Sequence, residues 1–301
     1  MAVAHNADEA GEGGLDENEP IRLSVIIKVR NGEPYLAGQL RSLAEQKCSF
    51  AWELIVVDNG STDATAETAR GFQSQVANMK VLSEPLVGKS YALNTGRAAA
   101  SGEYLILVDA DDEVGPGYLE AMAAALKQYE MVSSRVDTTL LNPPWAREEL
   151  LPPDRITVFL NYLPYIPGSL IGIRASAWDK IGGFATDFQS AEDVDFTWRA
   201  QWAGITTGMA SGAVLHFRRP LGAWGNFRRA RYYARAHVQL YLRYRPLGQP
   251  RLGVPEEFRL VKESLGELIR HERYWQWRIG WNLGLVEGHL EESLRNRVWY
   301  P

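Results

Sequence analysis

The ten residues Glu103-Tyr-Leu-Ile-Leu-Val-Asp109-Ala-Asp111-Asp112 decide how the rest of the chain is read. An apolar run of strand length ends abruptly in three carboxylates. Side chains alternate along an extended segment, so Asp109 and Asp111 project to one side and Ala110 to the other. Two carboxylates held side by side repel unless a cation or strong donors lie between them. Oxygen ligands of this kind suit Mg2+ or Mn2+, which keep their remaining positions for water and substrate phosphates. The end of a buried strand is also where open α/β sheets place their ligands. The plain alternative is that the acids merely stop the strand and cap the helix after Pro116.

Strand-like and helix-like segments alternate on the N-terminal side of this stretch. Leu23–Val29 reads as a buried strand, and Asn31-Gly32-Glu33-Pro34 turns into a helix with Leu36, Leu40 and Leu43 on one face. Leu54–Val57 is a second apolar strand. The turn Asp58-Asn59-Gly60-Ser61-Thr62-Asp63 follows it, with Asp63 placed to cap the next helix. A short strand near Met79–Leu82 and a helix from about Ser90 to Ala100 precede Tyr104–Val108. This alternation predicts an α/β protein with a single doubly wound, mostly parallel sheet over residues 21–220.

Between Thr138 and Gly168 the pattern breaks at Asn142-Pro143-Pro144-Trp145 and Leu151-Pro152-Pro153-Asp154, where a functional loop or lid is expected. Beyond about Pro220 the chain turns helical and aromatic. Phe258, Val261, Leu265, Leu268 and Ile269 keep helical spacing, so residues 221–301 read as a C-terminal helical extension. Trp275, Trp277, Trp281 and Trp299 are expected there as core.

Composition narrows the function. The 301 residues are 46% hydrophobic and carry a net charge of −5. Residues 1–20 hold six acids and no Lys or Arg, which leaves the remainder near +1. That segment reads as a disordered acidic tail. Such a balance argues against a nucleic-acid partner. Cys48 is the only cysteine, so neither an intramolecular disulfide nor a Cys-rich metal site is expected. No basic leader with an apolar core and no run of about 18 apolar residues is present, so a cytoplasmic location without a membrane span is expected.

Four segments in order resemble the family 2 glycosyltransferases. They are Ser24-Val-Ile-Ile-Lys-Val-Arg-Asn31; Val56-Val-Asp58-Asn-Gly-Ser-Thr-Asp63; Gly88-Lys-Ser-Tyr-Ala-Leu-Asn94-Thr-Gly96 running into Asp109-Ala-Asp111-Asp112; and Ala191-Glu192-Asp193-Val-Asp-Phe-Thr-Trp-Arg199. Gly182-Gly183-Phe184, shortly before the last, is similar too. The resemblance covers about residues 21–215. It implies a glycosyltransferase A-type (nucleotide-diphospho-sugar transferase) fold, a nucleotide-diphospho-sugar donor, Mn2+ or Mg2+, and transfer with inversion to an acceptor hydroxyl.

By the same resemblance, Asp111 is the firmer metal ligand, and Asp109 lies nearer the ribose or metal waters, with Ala110 between them in the donor site. His216, after Ala213-Val-Leu, stands where some A-type enzymes place a further metal ligand. The Asp of the Glu192-Asp193 pair is the implied general base, here Asp193, with Glu192 beside it orienting the helix start or acceptor. The plain alternative is that Glu192, Asp193 and Asp195 only favour a helix N-terminus. The implied nucleoside contacts are Val29, Arg30 and Asn31, then Asp58 and Asn59, then Lys89 and Asn94. Many relatives carry two acids where this chain has Asp58-Asn59, so UDP-sugar is favoured while dTDP- and GDP-sugars stay open.

Segment 216–245 contains eight arginines, no acid and seven Phe, Trp or Tyr residues. Three readings compete: a solvated basic face with its aromatics packed inward; Arg218, Arg219 or Arg228 completing a diphosphate site or gathering an anionic acceptor; and a lipid-phosphate surface. Two other functions also stay open, a sugar-nucleotidyltransferase and a non-catalytic nucleotide-sugar-binding or scaffold protein. The turn after the first strand has a single glycine, which argues against the former.

Overall fold

A computed structural model describes residues 20–147, 154–188, 190–251, 262 and 275–300. The acidic stretch 1–19, the residues Leu151-Pro152-Pro153, the pattern from Phe258 to Ile269 and the side chains of Trp275 and Trp277 lie outside that description.

An eight-stranded sheet forms the centre. Its strands are β1 (Leu23–Val29), β2 (Trp52–Asp58), β3 (Met79–Ser83), β4 (Tyr104–Asp109), β5 (Glu113–Val114), β6 (Met131–Asp137), β9 (Ile171–Arg174) and β10 (Thr207–His216). They lie in the order β3-β2-β1-β4-β9-β6-β10-β5. The β3-β2-β1-β4 half is wholly parallel, and β6 runs parallel to β10. β9 is antiparallel to both β4 and β6, and β5 is antiparallel to β10 at the edge.

The parallel half follows from its residues. Helices cover both faces of such a sheet, so its strands are apolar throughout rather than alternating. Leu23, Val25, Ile26, Ile27, Leu54, Ile55 and Val56 are completely buried. Helix α1 (Glu33–Ala44) carries Pro34 in its first turn, where no backbone N–H is needed, and buries Leu36, Leu40 and Leu43 as expected. Helices α2 (Thr65–Gly71), α3 (Lys89–Ala99), α4 (Tyr118–Leu126) and α5 (Ala175–Ile181) complete the crossovers and flanks.

Register fixes what comes together at one end of this sheet. Val29 pairs with Asp58, and Lys28 pairs with both Val57 and Asp109. The tips of β1, β2 and β4 therefore share one rim. Opposite them, α6 (Glu192–Trp202) begins at Ala191, whose φ of +58° is a left-handed conformation that non-glycine residues seldom adopt. The irregular segment after β6 contains a short hairpin of β7 (Val158–Phe159) and β8 (Leu163–Pro164).

Beyond β10 the chain is helical. Helix α7 (Ala223–Tyr244) packs Ala236, Leu240 and Tyr244 against Val194 and Trp198 of α6. Helix α8 (Trp275–Arg295) lies along α7. A Cβ placed on Gly280, Gly284 or Gly288 would stand 2.3–2.5 Å from the carbonyl oxygens of Ala223, Phe227 and Arg231. Glycine at four-residue spacing thus lets the two backbones meet. Arg231 and Arg235 seal the same seam through Glu291. No described helix is long and apolar enough to cross a membrane.

Candidate active site

The carboxylates of Asp109, Asp111 and Asp112 converge at the end of β4, each offering an oxygen within 4.8 Å of the others. Asp112 is 1% exposed; one oxygen accepts the Arg218 backbone N–H at 2.9 Å, and the other, Oδ2, has no hydrogen-bond partner. Its helix-capping role is corrected by this geometry, because α4 starts after Gly117 with no side-chain cap. Burial first, then the charges of Asp109 and Asp111, push Asp112 up to about 8. Burial and Asp109 likewise push Asp111 above the usual carboxylate range. Asp109 goes the other way. Burial opposes its charge, but Lys28, Lys89 and Arg229 outweigh that and hold it below the usual range.

Lys28 forms a direct ion pair with Asp109 Oδ1. Sequence reading missed this residue, although a lysine inside the apolar run Val25–Val29 was a visible sign that a buried partner had to exist. Arg218 braces the cluster from behind. Its Nε donates to the Asp111 carbonyl at 3.0 Å, and its guanidinium stacks 5.0 Å over Tyr35. A buried oxygen lacking a donor, beside two more hard oxygen ligands, fits Mn2+ or Mg2+.

Across the rim, Asp193 sits in the first turn of α6. Its Oδ2 accepts the Gly168 N–H and its Oδ1 the Val194 N–H, both at 2.9 Å. Burial, followed by the neighbouring Glu192 charge, pushes its carboxyl up to about 6. Glu192 is buried, with Lys89 Nζ 3.5 Å from its Oε1. Asp195, on the far side of the helix, is committed to Arg199, Arg243 and Tyr244 and so anchors α6.

The expected donor-side residues divide into two groups. Val29, Arg30, Asn31, Asp58, Lys89 and Ala110 all stand at the strand tips or in the turns beside them; the side chains of Val29 and Ala110 are buried in the core, and Arg30 is exposed. Asn31 Oδ1 accepts the Thr62 N–H at 2.8 Å, tying the turn after β1 to the turn after β2. Asp58 Oδ1 accepts the Ser61 N–H at 3.2 Å. Asn59 and Asn94 face inward instead. Asn59 donates to the carbonyls of Glu84 and Leu86 and accepts from Gly88 N–H, so its amide shapes the loop before α3. Asn94 exchanges two 2.9 Å hydrogen bonds with the Phe184 backbone. Their side chains are spent on the protein, which explains asparagine at both places. His216 Nδ1 lies 2.7 Å from Asp137 Oδ2, and His216 is not part of the three-carboxylate cluster.

A mostly parallel sheet with an acid cluster at a strand tip and a Glu-Asp pair at a helix start is the arrangement expected of the glycosyltransferase A-type fold. Residues 24–182, more than half the chain, match Glycosyl transferase family 2, and the chain belongs to that family. Residues 154–286 also match Glycosyl transferase family group 2. Membership argues against the nucleotidyltransferase reading.

The glycosyltransferase AglE of Haloferax volcanii is 28% identical over 216 residues, covering 66% of this chain and 68% of its own. The uncharacterized glycosyltransferase YibD of Escherichia coli is 30% identical over 145 residues, covering 46% of this chain and 40% of its own, so the match spans less than half of that relative. In fold, the chain is similar to a mannosyltransferase of Pyrobaculum calidifontis solved with GDP-Man and Mn2+. That likeness has a TM-score of 0.63 at 20% identity and covers 94% of this chain and 90% of the other. It is also similar to residues 1–349 of TarS from S. aureus solved with UDP-GlcNAc, with a TM-score of 0.55 at 18% identity and 93% of each chain covered.

Proposed function

We propose that this protein is an inverting glycosyltransferase that moves a sugar from a nucleotide-diphospho-sugar, UDP-sugar in the first instance, to an acceptor hydroxyl. The observation that carries the reading is the opposition of two acid groups of different character. One is a clustered triple carboxylate, and the other is Asp193, a buried carboxylate next to Glu192 that is oriented by two backbone N–H groups and pushed up to about 6. A carboxyl ionising near that value suits a general base at neutral pH.

In this reading Asp109, Asp111 and Asp112 would hold the divalent cation, which would neutralise charge on the diphosphate. Lys28 keeps Asp109 ionised for that task. The nucleoside rests on the rim of Val29, Arg30, Asn31 and Asp58. Asp193 takes the acceptor's proton as its oxygen bonds to the anomeric carbon, while the bond from that carbon to the diphosphate breaks and its electrons leave with the diphosphate. Glu192 and Lys89 fix the charge around Asp193. The neighbours' ligands, UDP-GlcNAc in TarS and GDP-Man with Mn2+ in the mannosyltransferase, support a nucleotide-sugar donor here.

The test is a thermal-shift panel of UDP, dTDP, GDP and ADP with and without Mn2+. Ligand at about 100 times its dissociation constant stabilises a fold by roughly 2.7 kcal/mol, which is readable. UDP is expected to raise the transition only with metal. Equal shifts for all four, or none for any, would overturn the donor-site reading.

A further inference from the structure

The arginines of segment 216–245 are not equivalent once their contacts are known. Arg218 braces Asp111 and Glu113. Arg228 is exposed and stacks on Trp224. Arg231 and Arg235 pair with Glu291 across the α7–α8 seam, and Arg243 pairs with Asp195. Arg229 is half-buried, yet among the described residues it makes neither a hydrogen bond nor an ion pair. A half-buried guanidinium whose donors are not spent on the described residues can take up an anionic partner.

The setting of α7 shows where Arg229 is aimed. Arg229, Tyr233, Ala236, Leu240 and Tyr244 follow one helical stripe. The lower half of the stripe is pinned on α6, where Tyr244 OH donates to Asp195 Oδ1 at 2.8 Å. The upper half therefore continues over the rim. Tyr233 acts electrostatically on Lys89, and Arg229 acts on both Asp109 and Asp111 while staying outside ion-pair distance of either. Tyr233 is in turn backed by Trp281 of α8, edge to face at 5.9 Å between ring centres. Arg229 thus stands on the stripe of α7 that leads from α6 toward the carboxylate cluster, near enough to act on its charge without an ion pair.

We infer that Arg229 grips the donor's diphosphate from the side opposite the carboxylates, so that the gap between them is the diphosphate seat. This rests on the nucleotide-sugar reading above. A guanidinium fork matches phosphate oxygens and takes up their charge without giving a proton, so no acid is required there. The C-terminal helices are then part of the donor site: α7 supplies the cation and α8 holds α7 in place.

Calorimetry on the full chain with Mn2+, comparing UDP with UMP, tests this. Arg229→Gln should weaken UDP binding about tenfold or more, the scale of a lost charge-assisted hydrogen bond, and UMP binding less. Arg229→Lys should recover part of the loss, and the unliganded transition should stay in place because no protein contact is removed. Unchanged UDP affinity and rate in Arg229→Gln, with wild type binding UDP normally, would overturn the inference alone. Unchanged UDP affinity with a raised acceptor KM would assign Arg229 to an anionic acceptor instead, and a lowered unliganded transition in both variants would make it structural. Failure of the wild type to bind any nucleoside diphosphate would instead remove the donor reading itself.

Discussion

Acid should switch off Asp193 well above the pH at which an ordinary carboxylate is lost. Its carboxyl is pushed from 3.8 up to about 6, first by burial and second by Glu192. A general base works only when ionised, so kcat/KM should be level above about pH 7 and fall about tenfold per unit below 6, reaching roughly one-tenth at pH 5. Glu192→Gln removes the second cause and leaves the first. The acidic limb should therefore move to lower pH in Glu192→Gln. The assay is the initial rate of nucleotide release at low acceptor concentration across the acid range.

Stability runs in the opposite direction. A carboxyl whose folded pKa is raised contributes stability that is fully present below its unfolded value near 3.8 and is lost as pH rises through about 6. The loss of rate on acidification is therefore expected without a matching fall in the unliganded transition temperature. A limb near pH 4, or a limb that Glu192→Gln leaves in place, would refute the reasoning.

Three further substitutions probe other parts of the structure. Asp111→Asn removes a charge that burial and Asp109 disfavour, so unliganded stability should hold or rise, while loss of a metal ligand should lower turnover in saturating Mn2+ by orders of magnitude; near-native turnover would remove Asp111 from the metal site. Asn59→Asp, which would match the two acids of many relatives, sets a carboxylate against the Glu84 and Leu86 carbonyls and should cost about 1–3 kcal/mol in denaturant unfolding, without improving UDP affinity. Gly284→Val places a carbon 2.3 Å from the Phe227 carbonyl and should force α8 from α7, lowering stability by about 1–3 kcal/mol; an unchanged unfolding midpoint would contradict the tight seam.

The parallel half of the sheet was legible because helices on both faces make β1, β2 and β4 unbroken apolar runs. β9 was not, since a four-residue strand containing Gly172 carries no periodicity; it exists because Met122, Val132 and Ile106 close over that glycine. β5 is two residues long and is defined only by its partner β10. In the site, the spacing of Asp109 and Asp111 announced the cluster, whereas the inward turn of Asn59 and Asn94 depends on carbonyls brought near by the fold. Arg229 could not be singled out from eight arginines before the rotation of α7 was known. Lys28 could have been, from the oddity of a charge inside an apolar strand.

The most direct test of the account compares donor binding with transfer in Asp193→Asn. The substitution keeps a side-chain oxygen for the Gly168 N–H and leaves Asp109, Asp111 and Asp112 untouched. Removal of a base that acts only on the acceptor's proton should spare the ground state and damage the chemical step. Metal-dependent UDP affinity by calorimetry is expected to match wild type, while transfer to a working acceptor falls by at least about 100-fold. Transfer at the wild-type rate, with UDP still bound, would contradict the account and leave Asp193 as an acid at the start of a helix.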